Sequence, residues 1–237
     1  MGWFVIAVAF AGLWLWAFYR EDRLEREPLW MVAFALGWGA LALIPALWLE
    51  NRFLPSGLSP EDPLAARAVG LVLIVGPVEE LCKFAGVRFH IWPRSQFNEP
   101  MDGIVYAAAA ATGFAFAENL HFMVDQPSVI LARGPAGTLA HILFAGFWGS
   151  ALGWAKVCGS PWRGRMLVTL GLVWGSLSHG LFDLISYSAS AELPVWGARL
   201  GLTLLMAGSY LLLRRQMLKA RAQSPFQPGC RASRGAK

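Results

Sequence analysis

Apolar residues in this chain come in long, nearly unbroken blocks instead of the stripes of an amphipathic helix. Seven blocks can be drawn, over about residues 2–19, 29–49, 68–91, 103–123, 137–157, 166–188 and 194–213. Each falls within or close to the roughly 17–25 residues that carry a helix across about 30 Å of hydrocarbon. A helix lying on a soluble core would interrupt such runs with polar residues every three or four positions. The pattern predicts an all-α fold, a polytopic transmembrane helical bundle of about seven spans. No Lys or Arg precedes the first block and no small-residue cleavage site follows it, so it reads as a retained helix and not a signal peptide.

Composition agrees and adds an orientation. Of 237 residues 56% are hydrophobic, 15% are charged and twelve are Trp, whereas a soluble domain carries about 25% charged residues. Mean hydropathy is +0.48. Sixteen of the twenty Lys and Arg fall on one side of the spans and only Arg52, Arg67, Arg133 and Arg199 on the other. The positive-inside rule then places the N-terminus outside and the C-terminus in the cytoplasm. The net charge of +5 thus reflects topology, and nucleic acid is not an expected partner. One transmembrane domain, residues 1–213, takes up most of the chain. Residues 214–237, RRQMLKARAQSPFQPGCRASRGAK, are basic and without apolar period; they read as a disordered cytoplasmic tail drawn to anionic lipid. Cys82, Cys158 and Cys230 show no pairing pattern.

The informative residues are the polar ones that loops do not explain. Glu79 and Glu80 sit in the third block, Glu118 and Asn119 in the fourth, His141 in the fifth, His179 and Asp183 in the sixth. A carboxylate at a helix centre costs about 2.5–3.5 kcal/mol on insertion scales, so each is a functional candidate. At about 1.5 Å rise per residue, Glu79 and Glu80 lie roughly 17 Å below the outer boundary, His179 roughly 13 Å, Glu118 roughly 8 Å and His141 roughly 6 Å. All fall in the outer half, where one cavity can hold them. Gly171, Gly175, His179 and Asp183 recur every fourth residue, as do His141, Ala145, Gly149 and Gly153. Small residues at that spacing let helices approach closely, so both polar faces are expected to meet neighbouring helices. Pro77 is expected to kink the third helix just before the glutamates.

Competing structural roles exist for each residue. Lys83 follows Glu79 by four positions and Glu80 by three, so it can neutralise one of them within the helix. Asn119 commonly bridges helices, a lone His commonly packs them, and Asp183 is one turn from His179. His90 and His121 lie near span ends, where solvation is the default. As a group the residues suit activated water: one glutamate accepts a proton while the other is paired, and His179, oriented by Asp183, assists. No GxSxG, no HExxH and no suitably placed Cys is present. Glu80, Glu118, His141 and His179 also form a possible ligand set for zinc, which needs three protein ligands in a catalytic site. The Glu-x-x-His of "ENLH" occurs once, whereas carboxylate-bridged di-iron bundles need two copies.

The motifs EELCK, GFAFAEN, HILFAGFWGSALG and HGLFD occur in the order seen in the PrsW family of intramembrane proteases, which this chain resembles over about residues 20–190. That family is grouped with the CAAX prenyl endopeptidases among glutamate-dependent membrane proteases. The resemblance implies an endopeptidase of the bacterial cytoplasmic membrane that cuts an anti-sigma factor, a single-pass membrane protein, on its extracytoplasmic side. It implies catalytic roles for Glu79, Glu80, Glu118, His141 and His179, supported by Lys83, Asn119 and Asp183. The related prenyl endopeptidases have His where this chain has Glu118. A proton- or ion-coupled transporter built on the same Glu/His cluster is the alternative; no duplicated halves support it.

Overall fold

A computed structural model describes residues 2–59, 61–188 and 194–227. Each of the seven predicted blocks is helical. Among the described residues they form α1 (Gly2–Tyr19), α2 (Leu29–Phe53), α3 (64–91), α4 (Pro100–Met123), α5 (Pro127–Val157), α6 (Pro161–Ser188) and α7 (Val195–Ala222), with no strand. Five of them, α1, α2, α5, α6 and α7, are long and apolar enough to cross a membrane. In the other two, α3 and α4, ionisable residues interrupt the apolar run: Arg67, Glu79, Glu80, Lys83 and Arg88 lie along α3, and Asp102 and Glu118 near the ends of α4.

The core is built around α4. Residues 100–115 of this helix are all buried, and it packs most extensively on α5 and α2, with α5 packing in turn on α6. Its composition explains the position: the run AAAAATG, residues 107–113, offers almost no side chain, so neighbouring backbones can close on it. A Cβ on Gly103 would lie 2.1 Å from the Gly149 carbonyl oxygen, and one on Gly153 would lie 2.1 Å from that of Pro100. The small face of α5 therefore packs on α4, as its spacing predicts. Large apolar side chains instead point outward, among them Phe4, Trp16, Ile44, Trp48, Leu170 and Leu204. That distribution suits lipid as the surrounding solvent and would be unsustainable in water.

Two features set the polar residues in place. First, α3 is not a uniform helix: a π-turn over Leu71–Val75 precedes the segment Gly76–Gly86, with the Gly76 N–H bonded to the Leu71 carbonyl. Pro77 has no N–H for the Leu73 carbonyl and its ring crowds that oxygen, so the helix widens one step earlier. Second, α3 and α6 cross in contact. A Cβ on Gly76 would stand 2.5 Å from the Ser176 carbonyl oxygen, and one on Gly180 would stand 2.4 Å from that of Leu71. This crossing sets Glu79 and Glu80 beside His179.

The last helix differs from expectation. It does not stop near residue 213 but continues to Ala222, so the first part of the basic segment is ordered. Leu213, Met217 and Ala220 keep an inward face. Arg214 reaches Glu21 Oε2 at 3.0 Å, and Arg221 also bonds Glu21. Charged residues thus dock this helix end onto the α1–α2 loop. Residues 228–237 of the expected tail, Cys230 among them, lie outside the described residues.

Candidate active site

Four helices each contribute a polar side chain to one buried point. From α3, Lys83 lies at the centre. Its ammonium donates to Glu79 Oε2 at 3.2 Å, to Glu80 Oε1 at 2.8 Å and to His141 Nδ1 at 3.0 Å. The fourth side of the ammonium is covered by the Phe114 ring, 4.2 Å from its centroid. Lys83 and Glu80 are fully buried. The sequence suggested that Lys83 neutralises one glutamate; the structure has it bonded to both and to an imidazole 58 positions away.

The two histidines are held in parallel fashion. An ammonium has no lone pair, so His141 Nδ1 accepts from Lys83 and its Nε2–H donates to Glu118 Oε2 at 2.9 Å. His179 Nδ1 lies 2.8 Å from Glu80 Oε1, and its Nε2 faces Glu79 Oε2 and Asp183 Oδ2, each at 3.5 Å. The rings meet edge-on with centroids 4.8 Å apart. Each imidazole thus has one nitrogen fixed by a carboxylate and the other turned towards Glu79. The Asp183–His179 relation is the one the sequence suggested. Asn119 bridges helices through Thr138 Oγ1 at 3.4 Å, also as its residue type suggested.

Two partners were not foreseen. Arg133 precedes the main part of α5 and was placed among the loop charges, yet its Nη2 lies 2.7 Å from Glu118 Oε2. Trp148 donates its indole N–H to Glu80 Oε2 at 2.8 Å. A signal for Trp148 did exist: it is seven residues after His141, hence on the same helical face, and a buried Trp needs an acceptor. No such signal marks Arg133, whose reach depends on the π-turn Arg133–Gly137 leading into Thr138.

A cavity of about 200 Å³ opens on this cluster, lined by Glu79, Glu118, Asp183, Arg133, Glu50, Leu58 and Phe122 among others. Glu80, Lys83, His141 and His179 lie behind its lining residues, so Glu79 is the member of the glutamate pair that a molecule in the cavity meets. The cavity reaches the ends of α2 and α4 and the loop after α2, away from the Arg20–Arg26 loop. His121 lines it too but takes no part in the cluster.

For a metal, the converging set differs from the one the sequence suggested. Glu79, His141 and His179 offer ligand atoms within 4.8 Å of one another. Glu80 and Glu118 instead hold the far nitrogens of the two imidazoles. Two imidazoles and one carboxylate, each imidazole backed by a second carboxylate, are a donor set that fits a catalytic zinc-type ion. The atom an ion would need on His141 is the one Lys83 occupies, so ion and ammonium compete for it.

Taken together, a polytopic helical bundle with an acid–imidazole–ammonium cluster at the foot of a cavity lined by both apolar and charged residues has the make-up of a membrane-embedded enzyme. Comparison with known proteins narrows that class. The family model for PrsW family intramembrane metalloproteases matches residues 27–213, and the chain belongs to that family. It is 30% identical to Protease PrsW of Geobacillus kaustophilus over 79% of each chain. Its identity to Protease PrsW of Bacillus subtilis is 30% over 71% of this chain and 75% of that one. With the Clostridioides difficile protein the identity is 26% over 76% of each. No solved structure matches the chain. The protein is a multi-pass intramembrane protease, and its substrates are accordingly membrane proteins.

Proposed function

We propose that this protease hydrolyses a peptide bond of a single-pass membrane protein, an anti-sigma-factor-like regulator, using water activated beside Glu79. It does so near the outer face of a bacterial cytoplasmic membrane crossed seven times, with the N-terminus outside. The carrying observation is that Glu79, which lines the cavity, converges with His141 and His179 behind it, with Glu80 and Glu118 fixing the far nitrogens of both rings. Glu79 takes the proton from water because it alone of the glutamate pair faces the cavity. Glu80, fully buried and with both oxygens engaged by Lys83, Trp148 and His179, serves to orient. His179 Nε2, between Glu79 and Asp183, is placed to pass a proton to the leaving amine. Glu118 holds His141 in the tautomer whose Nδ1 faces the cluster. A divalent ion such as zinc would instead engage Glu79, His141 and His179 as its ligands in place of these proton-transfer roles, and it would supply Lewis-acid polarisation of the scissile carbonyl.

The test compares membrane-protein N-termini by mass spectrometry in cells expressing the wild type or Glu79→Gln at equal level. Glu79→Gln keeps the shape and removes the base, so cleavage is expected to fall by about 10²–10⁴-fold, the usual worth of general-base catalysis. Termini present only with the wild type identify the substrate. Identical termini from both proteins would overturn the assignment of Glu79.

A further inference from the structure

A second acidic cluster lies at the end of α4 opposite Glu118, and peptide hydrolysis makes no use of it. Asp22 and Glu27 come from the α1–α2 loop and Asp102 from the first turn of α4; each offers an oxygen within 4.8 Å of the others. These side chains and that of Glu99, the N-cap of α4, are at most 3% exposed. Helix capping explains part of the arrangement. Asp102 Oδ2 accepts from the backbone N–H groups of Asn98 at 2.6 Å and Glu99 at 2.9 Å, and the Tyr106 hydroxyl donates to Glu27. The Glu27 and Asp102 carboxyl groups also lie within hydrogen-bonding reach of each other, and Glu99 lies beside Ser224; capping and these contacts still leave several oxygens unexplained. Both oxygens of Asp22, Asp102 Oδ1, Glu99 Oε2 and Glu25 Oε2 are buried with no hydrogen-bond partner among the described residues. The Glu25 backbone N–H lies near Asp22 without hydrogen-bond geometry.

Three cations near the cluster are engaged elsewhere. The Lys156 ammonium caps the Trp92 and Arg94 carbonyls at 2.6 and 3.4 Å, and Arg214 and Arg221 pair with Glu21. Among the described residues no Lys or Arg ion-pairs with Asp22, Glu27 or Asp102. Buried carboxylates without partners are costly and are retained where they are paired or coordinate an ion. The donors are all oxygen, which suits Mg²⁺, Mn²⁺ or Ca²⁺ and contrasts with the two-imidazole set at Glu79.

We propose that Asp22, Glu27 and Asp102, with Glu99 beside them, form a binding site for a hard divalent cation that fastens the α1–α2 loop to the start of α4. The ion bridges two segments that otherwise repel, and α4 is the helix that carries Glu118 at its other end. The test uses the purified full chain in detergent after chelation, dialysed against Mg²⁺, Mn²⁺ or Ca²⁺, with bound metal measured by elemental analysis and unfolding followed by temperature. The wild type and Glu79→Gln are expected to retain about one such ion and to unfold at higher temperature with it. Asp22→Asn is expected to bind at least tenfold more weakly and to lose the temperature shift. Asp102→Asn, whose amide oxygen still accepts the capping bonds, should do the same if the first variant folds poorly. Hydrogen exchange of the α1–α2 loop in the wild type, slowed by the cation, reads the site without any substitution. A wild type that neither binds nor responds to these ions at millimolar concentration overturns the proposal. So does binding that survives in both Asp variants, or that is lost in Glu79→Gln instead.

Discussion

The two acid clusters of this protein bury a similar number of carboxylates and treat them in opposite ways. Around Glu79 the charges are matched from within: Lys83 serves Glu79 and Glu80, Trp148 and His179 serve Glu80, and Arg133 and His141 serve Glu118. Around Asp22 the oxygens meet mainly each other and the end of a helix, and several have no partner among the described residues. A matched cluster is preorganised, since its donors are in place before any substrate arrives. An unmatched one is a demand for a cation from outside. We place the proposed chemistry in the first, because a base that must act repeatedly needs neighbours that stay fixed.

Lys83→Met breaks the comparison most severely, because it makes the first cluster resemble the second. Glu79, Glu80 and His141 would lose a shared donor in a site with no access to bulk water on the Lys83 side. Removing one partner of a buried pair costs about 3–5 kcal/mol. The expected outcome is a large fall in unfolding temperature in detergent together with loss of cleavage. Adding Glu80→Gln to the same variant removes the stranded charge and should restore much of the stability but not the cleavage. It should also free His141 Nδ1, so zinc is expected to bind this double variant more tightly than the wild type. Unchanged stability of Lys83→Met would mean that the ammonium is not the keystone of the cluster.

What the sequence made legible follows from how local each signal is. The spans could be drawn because their length is set by the thickness of hydrocarbon, and Glu79, Glu80, Glu118, His141 and His179 stood out because charge within such a run is costly. Spacing along one helix revealed Lys83 beside the glutamates and Asp183 beside His179. Contacts between distant segments were not legible. Nothing local says that Lys83 also reaches His141, that Arg133 turns inward to Glu118, or that Glu79 and not Glu80 faces the cavity. The extension of α7 to Ala222 was hidden because Leu213, Met217 and Ala220 are too sparse to outweigh the Arg and Lys around them. The Asp22 cluster was hidden for a similar reason: acids between two helices are ordinarily solvated, and only the fold buries these.

Trp148→Phe probes the same matching with a neutral donor. The substitution keeps an aromatic ring against Phe84, whose centroid lies 5.5 Å away, and removes only the N–H that serves Glu80 Oε2. A hydrogen bond to a charged group contributes about 1.5–3 kcal/mol. Stability should fall by that order, plus a smaller amount for lost ring volume, and by less than in Lys83→Met. Because Glu80 also orients His179, cleavage should slow through kcat with little change in KM. A change confined to KM would instead place Trp148 on the substrate's path.

Asn119→Ala should have the smallest effect, and its smallness carries information. Asn119 is one residue from Glu118 on α4, but its amide points to Thr138 Oγ1 at 3.4 Å and takes no part in the chain of bonds from Arg133 to Trp148. Polar contacts between membrane helices average about 0.6 kcal/mol. A loss of that order in detergent unfolding, with cleavage of the identified substrate unchanged, would mark the edge of the matched cluster between two consecutive residues. The opposite pattern, normal stability with cleavage lost, would show that the Asn119 amide meets the substrate or its water directly. Matching of carboxylates by internal cations would then describe only part of the site, and a neutral amide donor would join it.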